Sequence, residues 1–118
     1  MSAIHPELSD LSLVAGYLHP EQVGRVLTGH KLLGFLAEEG RIPSALSHEE
    51  ILILRKFGPD QLRAHFKALT LTAWGGVVPW SGVGLSVPVM LLFQDDLPIN
   101  WYPLAGGWSD HNPGVFFA

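Results

Sequence analysis

The sequence predicts a mainly α fold: a small bundle of about four helices followed by an irregular, extended C-terminal tail rich in aromatic residues, Gly and Pro. Two observations carry this expectation. Apolar residues recur at helical spacing between start and stop signals from Pro6 to Trp74. Beyond them the pattern changes: from Ala68 onward there is no Lys or Arg, yet all 4 Trp residues (Trp74, Trp80, Trp101, Trp108) lie there. They stand among Gly75, Gly76, Gly82, Gly84, Gly106, Gly107, Gly114 and Pro79, Pro88, Pro98, Pro103, Pro113, which interrupt regular structure. With 47% hydrophobic and only 15% charged residues, the 118-residue chain is too apolar to be disordered.

The helices follow in order. Pro6 and Glu7 suit a first turn, and Leu8, Leu11, Val14, Tyr17 and Leu18 continue at helical spacing. Pro20 and Glu21 open a second run through Val23, Val26, Leu27, Leu33, Leu36 and Ala37, with a weak point at Thr28-Gly29 and a stop at Gly40. Ser47 and Glu50 form a capping box for a third helix carrying Ile51, Leu52, Leu54 and Phe57, closed by Gly58. Pro59-Asp60 starts the fourth, with Leu62, Phe66, Leu69, Ala73 and Trp74 on one face and its end at Gly75-Gly76. Val87 to Phe93 reads as a short strand or one to two helical turns, Gln94-Asp95-Asp96 as a turn, and Leu97 to Ala118 as extended coil. A single domain is expected, with 6–74 as helical core and 75–118 as a partner-wrapping segment.

Composition excludes several classes. The net charge of −4 argues against nucleic acid, which needs a basic footprint. Absence of Cys removes disulfides, thiolate nucleophiles and Cys-based metal sites. The first residues show no secretory or twin-arginine signal, so a cytoplasmic location is expected unless a signal was removed or a partner carries it. Ala68 to Gln94 is uncharged and long enough to span a bilayer, but its Gly and Pro residues would repeatedly break a spanning helix, so no membrane span is expected.

No catalytic, cofactor-binding or metal constellation stands out. His5, His19 and His48 fall at predicted helix starts or turns, while His30 and His65 lack a carboxylate or second His at the spacing helical metal sites use. Glu38-Glu39 point apart on a helix, and Asp95-Asp96 lacks the alternating ligands of a calcium loop. There is no phosphate-binding Gly motif and no nucleophile elbow. A small enzyme built around His111 with Asp110 or His65 is the one catalytic alternative.

The tail instead suggests a clamp. Trp74, Trp80, Trp101, Tyr102, Trp108, Phe116 and Phe117 follow no period that would gather them on one internal face, and buried aromatics dominate interface hot spots. A stacking cleft for a sugar or lipid is a further reading of exposed Trp. Three segments, Ala73-Trp74-Gly75-Gly76-Val77-Val78, Pro88-Val89-Met90-Leu91-Leu92-Phe93 and Pro113-Gly114-Val115-Phe116-Phe117-Ala118, resemble the end of the small subunit of membrane-associated, FAD-dependent sugar and polyol dehydrogenases. Leu27-Thr28-Gly29 is similar to a Leu-Thr-Gly of the same family, whereas Gly75 replaces an aromatic residue usual after the Trp. The resemblance implies a noncatalytic accessory subunit that stabilises a large flavoprotein partner holding the FAD, and adds Pro113 and Gly114 to the partner-binding set. The alternative is a self-associating or small-ligand-binding module with no flavoprotein partner.

Overall fold

Short strands, not helices, form the centre of the molecule. The computed structural model describes residues 8–80, 82 and 84–118, apart from the Trp80 side chain. Pro6, Glu7, His5, Ser81 and the Val83 of Gly82-Val83-Gly84 therefore lie outside the described residues. The strands are β1 (Val14–Tyr17), β2 (Leu27–Thr28), β3 (Thr70–Thr72), β4 (Val78–Trp80), β5 (Gly84–Leu91), β6 (Ile99–Pro103), β7 (Gly107–Trp108) and β8 (Gly114–Phe117). Three α-helices are interspersed: α1 (Gly29–Glu38), α2 (His48–Leu54) and α3 (Gly58–Phe66).

The main sheet runs β1-β8-β3-β5-β4, with β6 on the opposite edge of β5; β2 and β7 form a separate pair. β5 is the long central strand. Thr70–Thr72 pairs with its Leu91–Val89 end and Val78–Trp80 with its Ser86–Gly84 end, so β3 and β4 are successive pieces along one edge, parted by the 3-10 turn Trp74–Gly76. β8 lies antiparallel to β1 and meets β3 in parallel at Thr72 and Gly114.

Side-chain alternation divides the interior into two cores, one on each face of the sheet. Leu71, Met90, Leu92 and Val115 join Leu46, Ile51, Leu54 and Leu62 from the α2–α3 side. Val87, Val89, Leu91 and Phe116 face the other way, onto Leu32 and Leu36 of α1, with Trp74, Leu104 and Trp108. Helices and the β2–β7 pair thus cover a sheet that is buried on both faces.

This corrects the expected mainly α, four-helix bundle to a mixed α/β fold, and the chain is not a helical one. A sheet covered on both sides shows near-continuous apolar runs, not clean alternation, so its strands carry little period-2 signal. The first expected helix is a 3-10 turn, Leu11–Leu13, capped by the Asp10 carboxylate accepting the Ser12 N–H, followed by β1. The second begins only at Thr28, whose side chain accepts the Lys31 N–H; the weak point at Thr28-Gly29 is the true start. Gly29 is needed there, since a Cβ would come within 2.8 Å of the Leu104 carbonyl oxygen and 2.7 Å of the Trp108 ring. The stop at Gly40 holds, with φ +70° and its N–H bonded to Ala37.

The Ser47–Glu50 capping box is present with both reciprocal bonds, at 3.2 and 2.8 Å. The fourth helix is shorter than expected: it ends at Lys67, and Thr70-Leu71-Thr72 continues as strand because β-branched residues favour the pleated backbone. Gln94–Asp96 is a turn, closed by the Leu97 N–H on Gln94. Val87–Phe93 resolves as strand through Leu91, and the expected coil from Leu97 contains β6, β7 and β8. The 75–118 segment supplies the centre of the sheet and is not an appendage to a 6–74 core. Among the described residues no helix is long and apolar enough to cross a membrane.

Candidate functional site

Most of the expected partner-binding residues serve the chain's own interior. Trp74 and Trp108 are 1% and 2% exposed, with ring centroids 5.3 Å apart, and the Trp108 indole N–H donates to Thr72 Oγ1 at 2.9 Å. Phe116 is buried beside them, and Gly114 is there because a Cβ would stand 2.7 Å from Trp74 and 2.8 Å from the Phe116 ring. Pro113 is buried, and Phe117 packs half-buried against the α2–α3 core. Trp101 in β6 is half-buried, its ring 4.9 Å from that of His48. Only Tyr102, of those described, is clearly exposed. Trp80 ends β4, and its side chain lies outside the described residues.

Polar side chains form two internal locks. Buried Gln22 donates to the carbonyls of Ser109 and Asn112 and accepts the His19 N–H, while Asn112 accepts from Ser109 and donates to Thr70 Oγ1. This network ties the 109–112 loop to the His19–Gln22 turn and to Thr70 of β3, and presents Asp110 and His111 at its tip.

The second lock centres on Glu39, which ends α1. It accepts from Tyr17 at 3.0 Å, from Arg41 at 2.8 Å and from His19 Nε2 at 3.1 Å. His19 Nδ1 accepts the Glu21 N–H, so the neutral ring carries its proton on Nε2 and donates it to Glu39. The Arg41 guanidinium also lies over the Tyr17 ring, 3.6 Å from its centroid. The Arg41 hydrogen bond, helped by Tyr17 and His19, holds the Glu39 carboxyl below the usual carboxylate range against the opposing effect of burial. A lowered folded-state value stabilises the fold above the ordinary glutamate range, and this contribution is lost as pH falls through the lowered value. Glu39→Gln is accordingly expected to flatten the acid limb of stability, read as urea midpoints between about pH 6 and pH 3. An unchanged pH slope would contradict the lock. With its partners satisfied, this cluster is a fastening and not an open reactive site.

The open surface lies at the end of α3. A depression of about 380 Å³ is lined by Arg63, Lys67, Leu69, Leu92, Phe93 and His111. A second, of about 240 Å³, is lined by Gly16, His65, Phe66, Lys67, Asp110 and Pro113. They share Lys67 and Ala68, so they form one track along the end of the sheet. Phe93 in it is 55% and Leu69 48% exposed, and Phe93 is the most exposed aromatic of the described residues.

Arg63 supports the track from within, donating from Nε to the Leu92 carbonyl at 2.6 Å and from Nη2 to Asp95 at 2.8 Å. His65 Nε2 lies 3.0 Å from the Val14 carbonyl oxygen. Lys67 closes α3 in the left-handed conformation, φ 52° and ψ 47°, where Gly or Asn is the usual choice. Its ammonium has no hydrogen-bond or ion-pair partner among the described residues.

Sequence reasoning brought His65, Asp110 and His111 forward only as a catalytic alternative, and the structure does gather them around this track. Asp110 and His111 are exposed, with Oδ1 and Nε2 3.7 Å apart, and the neighbouring Ser109 hydroxyl is taken up by a bond to Asn112 Oδ1 and by the His111 N–H. No group of three or more His, Asp or Glu able to hold a metal occurs among the described residues. Leu69 and Phe93 were missed because they read as part of a helix face and as the end of a short strand or of one to two helical turns, and Lys67 because it stands in the run read as the fourth helix. The dense basic spacing of Arg63, His65 and Lys67 just before an uncharged run was the available signal. No protein-family model, curated protein or solved structure matches the chain.

Proposed function

We propose that this protein is a noncatalytic binding module, of the accessory-subunit kind, that docks a protein partner through the Leu69–Phe93 surface. The observation that carries the reading is the exposure of these two side chains side by side, joined by the Leu92 N–H to Leu69 carbonyl bond, in a chain that buries Trp74, Trp108 and Phe116. An exposed aromatic ring flanked by Arg63 has the residue types enriched at protein interfaces, and Leu69 beside it widens the apolar surface. Trp74, Trp108 and Phe116, first read as part of the clamp, are buried in the chain's own core. A FAD-dependent dehydrogenase subunit as the partner rests on the motif likeness alone, and Trp74 and Gly114 of those motifs have a packing role here.

The test is co-purification. Tagged wild-type chain and a Leu69→Ser/Phe93→Ser variant are compared for stable partners, with circular dichroism confirming that both fold. The variant is expected to lose its partner, since two hot spots at about 2 kcal/mol each weaken binding by roughly 1000-fold. Equal recovery of the same partner by the variant would overturn docking at this surface. A wild-type chain that stays alone would overturn the accessory reading, and a partner without flavin absorbance would remove the dehydrogenase assignment.

A further inference from the structure

We infer that the track takes an extended acidic segment of a partner chain, seating an apolar side chain against Leu69 and Phe93 and a neighbouring carboxylate on the Lys67 ammonium. This rests on the docking reading above and names what is docked. Three observations support it.

The first is shape. Two adjoining depressions that share Lys67 and Ala68 make an elongated path, which suits several residues of extended chain better than a single compact molecule. One wall of the second depression is Gly16 of β1, an edge strand whose one sheet partner among the described residues is β8 and whose Val14 N–H and carbonyl are engaged by Leu11 and His65. Edge strands offer free backbone groups to an added strand, and glycine lets another backbone approach.

The second is charge. Arg63 is engaged by Asp95 and by a carbonyl, and the Lys67 ammonium has no hydrogen-bond or ion-pair partner among the described residues, so the cation left for a ligand is Lys67; Asp110 is the one carboxylate that lines the track. Arg63, the neighbour of Lys67, occupies the last turn of α3 and offsets the negative end of the helix dipole, which would otherwise repel a carboxylate. The third is backbone. A lysine holds a left-handed position that glycine would occupy with less strain, and that position sets its side chain on the boundary between the two depressions.

The experiment uses a fluorescein-labelled, end-capped peptide of alternating leucine and glutamate, compared with analogues carrying glutamine or lysine in place of glutamate. The full chain is titrated and anisotropy recorded. The glutamate peptide is expected to bind at least about 10-fold more tightly than the glutamine analogue, and the lysine analogue not at all. Lys67→Gln keeps a residue of similar size and backbone preference; it is expected to abolish the glutamate–glutamine difference, and Lys67→Arg to restore it. Phe93→Ala should weaken all peptides alike.

If glutamate and glutamine peptides bind equally and both depend on Phe93, the carboxylate assignment is overturned while docking survives. If no peptide binds, the inference fails, and docking is then judged by the co-purification result alone. Binding of decanoate but no peptide, or concentration-dependent dimerisation lost in Phe93→Ala, would overturn the proposed occupant in favour of a small amphiphile or a second copy.

Discussion

A chain ended at Gly76 is expected to have no stable fold. The cut removes β4 through β8, and β3 loses both of its neighbours, β5 and β8. One core then lacks Met90, Leu92, Leu97 and Val115, and the other lacks Val87, Val89, Leu91, Leu104, Trp108 and Phe116. The helices left behind have 10, 7 and 9 residues, below the ~12–15 at which an isolated helix becomes even marginal in water. Far-UV circular dichroism should show a largely unfolded chain, and amide proton shifts should collapse to the random-coil range. A dispersed spectrum from residues 1–76 would restore the autonomous helical core that the sequence suggested. Failure of such a fragment to bind a partner therefore carries no information about the tail as a clamp, because the fold goes with it.

Trp108→Ala is expected to be the most damaging single truncation of the aromatic set. The indole is 2% exposed, touches Trp74, and satisfies Thr72 Oγ1, which is itself fully buried. Large-to-small changes of buried aromatic rings cost about 3–5 kcal/mol, and a buried hydroxyl that loses its donor adds about 1 kcal/mol or more. In a chain of this size, each kcal/mol lowers the melting temperature by roughly 4 °C, so a fall of well over about 10 °C is expected. Trp108→Phe keeps part of the ring volume and should cost less. Tyr102→Ala, at an exposed edge position, should cost below about 1 kcal/mol. Denaturant midpoints measured on all three would separate the two accounts: comparable losses at positions 108 and 102 would contradict Trp108 as a core residue.

Local signals were legible where a few neighbouring residues decide the outcome. The Ser47–Glu50 box, the Gly40 stop, the Gln94–Asp96 turn and the start signal at Pro20-Glu21 all produce local structure, the last as the 3-10 turn Pro20–Gln22, capped by His19. Of the candidate site, the residue types were visible but their meeting was not. Arg63 and Lys67 lie far in sequence from Phe93 and His111, and strand pairing across the sheet brings them together.

By itself, the sequence determined that this is an apolar, folded chain with a helix capped at Ser47, a helix stop at Gly40 and a helix start near Pro59-Asp60, and no phosphate-binding or thiolate motif. It also determined that aromatic residues and glycines concentrate in the last third. Tertiary structure alone decided what those aromatics do. Val14 pairs with Phe117 across nearly the whole chain, and within β8 Phe116 turns to one core while Val115 and Phe117 turn to the other. Both faces of the sheet are buried, so neither needs a polar alternate residue to mark it. The tail therefore reads as sticky surface in one dimension and becomes the shared wall of two cores in three.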